Sequence, residues 1–221
     1  SNALTLSALG ALTTSGAGTL TGGATSLSGG SISLGAILNS TTLALISAGS
    51  VTQTAAFITG GLTLGGGGSF TLTNPANSFA SLIATAGTVS LINSASTTSF
   101  GTISATGGFT FNTVGSVTQT GALNTTTANL LGSGATYTLN NAGNLIASLT
   151  GNTGSISLAN STGISVGPLT TTGTLNVTSA GTLVVADSVS FGGGASSLVS
   201  NDGIVLVFAP ITHTNGGAAT L

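Results

Sequence analysis

The chain has 221 residues and is 40% hydrophobic, but it has no Lys, no Arg and no Cys, and its two acidic residues are Asp187 and Asp202. This content predicts a folded chain that contacts neither nucleic acid nor a charged membrane surface, because no cation is available to meet phosphate groups. Acid, base and metal-ligating side chains are also nearly missing, so we expect no enzyme activity, no catalytic residues, no bound metal and no cofactor.

The N-terminal residues Ser1, Asn2 and Ala3 are interpreted as the remnant of a cleaved purification tag. Residues 4–221 are predicted to be a single repetitive segment taken from a longer protein. Neither a signal peptide nor a membrane-spanning helix is predicted, because the chain has no basic start followed by a long apolar run. Membrane insertion is therefore not expected.

Short strands are predicted wherever a glycine is followed by two apolar residues with one polar residue between them. Apolar residues at a spacing of two favour strands with one buried face, and the glycine supplies the bend before each strand. The clearest examples begin at Gly30, Gly68, Gly87, Gly107, Gly154 and Gly173. The same pattern predicts almost no helix.

A repeat of about 66 residues organises these strands. Gly-Ser-Val-Thr-Gln-Thr occurs at residues 49–54 and again at 115–120, and a related segment opens at Gly181, one equal interval further on. The first apolar positions of the strands advance by about 20 residues per coil, except for two steps of eight, from Phe109 to Val117 and from Leu175 to Leu183. Each step of eight is interpreted as a lengthened coil or a switch of face.

These periods predict an all-β, right-handed parallel β-helix of about ten coils, with about three coils in each repeat. Inward Leu, Ile, Val and Phe would stack in ladders, and Asn at the bends would stack likewise and accept left-handed geometry. At about 4.8 Å per coil the rod would be on the order of 50 Å long. Its open ends suggest self-association, since no Lys guards an exposed strand.

Three titratable residues are the obvious candidates for chemistry, and none is predicted to perform any. Asp187 and Asp202 are separated by less than one coil of chain, so they need not stack and are interpreted as solvated loop residues. His213 has no partner at metal-ligand spacing and is interpreted as a surface histidine. The glycine runs 65–68 and 192–194 are interpreted as tight bends, because no Lys follows them as in a phosphate loop.

Four asparagines satisfy the glycan-acceptor pattern, but such triplets arise by chance in a chain rich in Asn, Ser and Thr, and glycosylation is left open. They are Asn39, Asn124, Asn160 and Asn176.

Three segments resemble the repeats of filamentous-haemagglutinin-type bacterial exoproteins. They are Gly-Ser-Val-Thr-Gln-Thr-Gly-Ala-Leu at 115–123, Tyr-Thr-Leu-Asn-Asn-Ala-Gly-Asn at 137–144 and Gly-Ser-Ile-Ser-Leu-Ala-Asn-Ser-Thr-Gly-Ile-Ser-Val-Gly at 154–167. The resemblance covers roughly residues 30–207. The resemblance implies an extracellular rod at a bacterial cell surface, exported by two-partner secretion or as an autotransporter passenger. Many such proteins are adhesins, so the expected partners are host-cell, bacterial-cell or glycan surfaces.

The expected function is therefore a structural or adhesive shaft. The segment Asn74-Pro75-Ala76-Asn77 only partly matches the Asn-Pro-Asn-Leu element of the family's secretion domain and lies inside a repeat, which favours a shaft. The lack of Lys and Arg argues against acidic glycans such as heparin as ligands.

Two alternatives stand beside this expectation. A carbohydrate-active β-helix enzyme, or a carbohydrate-binding module, is one; the enzyme would require Asp187 and Asp202 to converge on one face. Ice binding by a threonine array is the other, suggested by the pairs 71/73, 118/120 and 136/138, although threonine pairs do not recur on every coil.

Overall fold

Parallel strands make up nearly all of the fold. The structure, a computed structural model, describes residues 2–16, 18–215 and the backbone of 219–220, so Ser1 of the interpreted tag remnant lies outside the described residues. In chain order the strands are β1 (Leu4–Ser7), β2 (Ala11–Thr14), β3 (Thr19–Gly29), β4 (Ser31–Leu34), β5 (Ile37–Ser47), β6 (Ser50–Gln53), β7 (Phe57–Gly65), β8 (Ser69–Leu72), β9 (Ser78–Asn93), β10 (Thr97–Thr113), β11 (Ser116–Gln119), β12 (Leu123–Leu139), β13 (Leu145–Asn160), β14 (Ile164–Thr171), β15 (Leu175–Ser179), β16 (Leu183–Val185), β17 (Val189–Phe191), β18 (Ser196–Ser200), β19 (Val205–Val207), β20 (Ile211–His213) and β21 (Ala219–Thr220). Among the described residues there is no helix that could cross a membrane.

Each strand pairs in parallel with the strand about one coil further along the chain. Ile32 pairs with Val51, Val51 with Phe70 and Phe70 with Val89, an equal step along the chain each time. The predicted parallel β-solenoid is confirmed, with about eleven coils, one more than the sequence predicts.

Every coil has three sides, which the burial pattern separates. In β7, Phe57 and Thr59 point inward, Gly60 and Gly61 interrupt the alternation, and Leu62 and Leu64 point inward again. We call the side that contains β6 side 1, the side of residues 57–59 side 2, and the side of residues 62–64 side 3. The interruption in the alternation marks the corner, because a strand with period two cannot bury two faces without a break.

The steps of eight are switches of side, and the alternative of a lengthened coil is wrong. Phe109 pairs with Ala128 on side 1, whereas Val117 pairs with Thr98 and Tyr137 on side 2. One repeat therefore spans three coils plus one side. The segment at 49–54 lies on side 1, and its copy at 115–120 lies on side 2.

A group of aromatic rings fills the middle of the solenoid. Phe111 is its centre, with ring centroids 4.9 Å from Phe100, 6.0 Å from Phe109, 6.1 Å from Phe79 and 6.4 Å from Tyr137. The rings come from successive coils, so they tie the stack together along its axis. Of the nine aromatic residues, only Phe208 is exposed.

Tyr137 is the polar member of this group. Its ring is fully buried, and its hydroxyl donates to the carbonyl oxygen of Leu131 at 2.6 Å and lies 3.0 Å from that of Phe111. Burial raises the pKa of Tyr137 above its ordinary value of 10.0, because a charged phenolate is disfavoured in an apolar core.

This shift predicts a loss of stability in alkaline solution. Above pH 10.0 the unfolded chain releases the Tyr137 proton and the folded chain keeps it, so the free energy of unfolding should fall by up to about 1.36 kcal/mol per pH unit. No Lys, Arg, Cys or second Tyr titrates in this range. The Tyr137→Phe variant should have a free energy of unfolding about 1 kcal/mol lower at neutral pH. Its free energy of unfolding should no longer fall with pH above 10.0. Urea unfolding at several pH values measures both, and an unchanged slope in the variant would refute the assignment.

Candidate functional site: the amide corners and their cleft

A buried amide pair stabilises one corner of the solenoid in the first repeat. Asn77 is fully buried. Its Oδ1 accepts from Gln53 Nε2 at 2.8 Å and from the backbone N–H of Phe57 at 3.2 Å. Its Nδ2 donates to Gln53 Oε1 at 2.8 Å and to the carbonyl of Leu72 at 3.0 Å. Every polar atom of the Asn77 side chain is therefore satisfied inside the wall.

The second repeat contains the same corner, formed by Gln119 and Asn144. Asn144 Oδ1 accepts from Gln119 Nε2 and from the N–H of Leu123, both at 2.8 Å. Asn144 Nδ2 donates to Gln119 Oε1 at 3.1 Å and to the carbonyls of Leu139 and Ala159 at 2.9 Å. The roles of Gln53 and Gln119 are not predicted above, although the duplication of Gly-Ser-Val-Thr-Gln-Thr is a signal for both residues.

The asparagines at the bends do not use the left-handed geometry that Asn can tolerate. Among the described residues, every residue with positive φ is a glycine. In the run 65–68, Gly66 has φ +92° and a Cβ there would lie 2.5 Å from the carbonyl oxygen of Ser47. This run is a tight bend, as expected, and side-chain hydrogen bonding is what the bend asparagines contribute.

Beside Gln119 a shallow cleft of about 240 Å³ opens on the outer surface. Thr118 and Gln119 line it from one coil, and Thr138, Asn140 and Asn141 line it from the next. The lining is polar and carries no charge. The backbone N–H of Asn141 donates to Gln119 Oε1 at 3.1 Å, so the corner network holds one wall of the cleft.

Hydroxyl groups also form regular columns on the outside. A Ser or Thr stands on each side of the first inward residue on four successive coils in each repeat. The pairs are 31/33, 50/52, 69/71 and 88/90 on side 1, and 97/99, 116/118, 136/138 and 155/157 on side 2. Pairs made of threonine alone do not recur on every coil, whereas pairs made of serine or threonine recur on these successive coils. Ice binding by a threonine array stays a prediction.

Residues 22–86 and 86–152 match the model of a family described as repeats of unknown function (DUF5649). The two matches run without a gap over more than half of the chain, and their boundary falls between the two corners. The chain belongs to the DUF5649 repeats. No curated protein and no solved structure matches it.

The match confirms the predicted period, because the two matched copies, 22–86 and 86–152, are 65 and 67 residues long. The related segment at Gly181 lies outside the matched residues, and Val185 stands where the first two copies have Gln53 and Gln119. The resemblance to filamentous-haemagglutinin-type exoproteins is supported for the β-solenoid and the repeat. The comparisons give no evidence for that family itself.

The two carboxylates of the DUF5649 chain lie at opposite ends of one side. Asp187 follows β16 and Asp202 precedes β19, and these two strands pair with each other. The Asp202 carboxylate accepts from the Ser200 hydroxyl, from the N–H of Ile204 at 2.9 Å and from the Thr182 hydroxyl at 3.2 Å. These bonds, that of Ser200 first, hold the pKa of Asp202 below its usual value. The structure does not bring Asp187 and Asp202 together.

His213 is in contact with neither Asp187 nor Asp202. Its ring centroid is 4.9 Å from that of Phe191, and its Nε2 is 3.3 Å from the carbonyl oxygen of Gly194. In the part of the chain that the structure describes, His, Asp and Glu residues form no group of three that could hold a metal ion.

The four glycan-acceptor asparagines differ in accessibility. Asn160 is buried and engaged, since its Oδ1 accepts from the N–H of Ile146 at 2.8 Å and its Nδ2 donates to the carbonyl of the same residue at 3.1 Å. Asn176 accepts from the Ser197 hydroxyl at 3.0 Å. Asn39 and Asn124 are exposed on the solenoid wall. Only these last two offer a side chain that is both exposed and free of a side-chain bond in the described residues.

Proposed function

We propose that these DUF5649 repeats form a non-enzymatic shaft of a large bacterial surface or secreted exoprotein, and that the shaft supports cell adhesion. The observation that carries the proposal is the continuous stack of about eleven coils around one core, which runs from Leu27 to Leu198 without interruption. Such a chain forms an elongated rod, because each coil contacts only its neighbours along one axis. The segment resemblance described above supplies the expected extracellular location.

The outer surface supports contact through neutral hydrogen bonds. Hydroxyl pairs cover parts of two sides, and the whole chain carries a formal charge of −2. Individual contacts of this kind are shallow and weak, but repetition along a rod multiplies them. This surface favours adhesion by many equivalent contacts over recognition in one deep pocket.

The arrangement of the titratable groups supports a non-enzymatic role. Paired-carboxylate mechanisms need the two groups within about 10 Å of one another and facing a common substrate. Asp187 and Asp202 instead occupy different corners. This separation favours a structural role over the carbohydrate-active enzyme.

Beads coated with the chain test the proposal on bacterial cells, host cells and immobilised glycans. We expect saturable binding above that of beads coated with an unrelated β-helix. Because the chain has no Lys or Arg, binding should change little between low and high salt. Binding no better than the control would reduce the segment to a spacer, and a steep loss of binding in salt would contradict the neutral contact.

A further inference from the structure

The cleft beside the second corner contains a set of polar groups that the fold itself does not use. It lies between the coil of Thr118 and Gln119 and the coil of Thr138, Asn140 and Asn141. Gln119 is held in place behind it, since its amide exchanges hydrogen bonds with Asn144 and accepts from the N–H of Asn141. Gln119 therefore forms a fixed part of the cleft lining.

Asn140 and Asn141 are each held at one end of the side-chain amide. Asn141 Oδ1 accepts from the N–H of Gly143 at 2.9 Å, and Asn140 Oδ1 accepts from the Ser157 hydroxyl at 3.0 Å. With the oxygens fixed, both Nδ2 groups are left with their hydrogens free of any partner in the described residues. The amides are oriented before a ligand arrives.

Thr118 and Thr138 add two hydroxyl groups to the cleft. Both threonines are exposed, and neither hydroxyl bonds to another described residue. Two amide donors and two hydroxyls, which both donate and accept, thus border one concave surface. Groups held from behind in this way lose little freedom on binding, which favours affinity.

Resting on the adhesive function proposed above, we infer that this cleft binds one uncharged sugar unit of a glycan. Sugar hydroxyl and ring oxygens accept from amide N–H groups, and sugar hydroxyls donate to threonine oxygens. An anionic ligand would lose its hydration without meeting a cation here. Because all aromatic rings except Phe208 are buried, binding rests on hydrogen bonds alone. The dissociation constant of a single site is expected to be roughly 1 mM.

The first repeat supplies an internal control. Thr52, Gln53, Thr71, Thr73 and Asn74 occupy the equivalent positions there. Asn74 Nδ2 donates to the carbonyl of Thr54 at 3.1 Å, and Thr73 stands where the second repeat has Asn140. One Asn74 Nδ2 hydrogen is left without a described partner, against four on Asn140 and Asn141, so the first copy should bind much more weakly.

Nuclear magnetic resonance of the ¹⁵N-labelled full chain tests the site. Neutral tetrasaccharides of glucose, galactose and N-acetylglucosamine serve as probes, with a sulfated heparin tetrasaccharide for comparison. We expect at least one neutral probe to shift the side-chain amide signals of Asn140 and Asn141 saturably and to shift that of Asn74 much less. The double variant Thr138→Val, Asn140→Ala should lose the remaining shift at Asn141, and Thr73→Ala should keep the shifts of the unmodified chain.

Three results would overturn the assignment: no shift with any neutral probe, equal shifts in the double variant, or shifts with the sulfated probe alone. A matching unfolding midpoint shows that the double variant is folded. The bead assay separates this inference from the proposed function. Adhesion that persists while the neutral probes fail leaves the shaft function standing without this site. Probe binding without adhesion of the beads would support the sugar site and contradict the adhesive role of the segment.

Discussion

Replacing Phe111 with Ala is expected to lower the free energy of unfolding by about 3–5 kcal/mol. The side chain is fully buried, and its ring meets those of Phe79, Phe100, Phe109 and Tyr137. Its removal leaves a cavity that several coils share, and a solenoid wall closed by hydrogen bonds cannot collapse into it. Urea unfolding followed by circular dichroism measures the loss.

Phe208→Ala is the matched control for Phe111→Ala. Phe208 is 74% exposed, so the same truncation there should change stability by no more than about 0.5 kcal/mol. Equal effects of the two substitutions would contradict the assignment of the aromatic rings to a common core.

Asn144→Ala is expected to cost roughly 3 kcal/mol or more. The substitution leaves the N–H of Leu123 and the carbonyls of Leu139 and Ala159 without their side-chain partner, and each orphaned buried group costs about 1–3 kcal/mol. Gln119 also loses the amide that it faces. Asn77→Ala, the equivalent change in the first repeat, should behave alike.

Asn152→Ala serves as the control for the corner substitutions. Asn152 is exposed, and in the described residues its side chain makes no hydrogen bond, so we expect a change within about 0.5 kcal/mol. Urea unfolding compares the three variants with the unmodified chain. A loss below about 1 kcal/mol for both Asn77→Ala and Asn144→Ala would mean that water replaces the corner network at little cost.

The fold was predictable because its signal is local and repeated. Alternation around Ile32, Val51, Phe70 and Val89 placed each of these residues in the core, and equal steps placed them in one ladder. The steps of eight could not be resolved from spacing alone. A switch of side and a longer coil give the same count of residues, and pairing partners are needed to tell them apart.

The site was less predictable because its bonds join distant residues. Gln119 and Asn144 are 25 positions apart, and an amide that bridges two coils has no local pattern. Asn141, whose Nδ2 has no partner in the described residues, and Asn74, whose Nδ2 donates to Thr54, occupy equivalent sequence positions. Which hydrogen-bond partner an amide finds depends on the local course of the chain, and sequence gives no direct measure of that.

Because each repeat advances by one side beyond three full coils, equivalent surface features follow a helical path around the solenoid axis. A feature at a given position of the repeat is turned by one third of a revolution in the next copy, as residues 49–54 and 115–120 are. In a longer array of such repeats it would face the original direction again after three copies, roughly 50 Å along the axis. A flat surface would then contact one copy in three, whereas a meshwork of flexible chains around the solenoid could contact every copy.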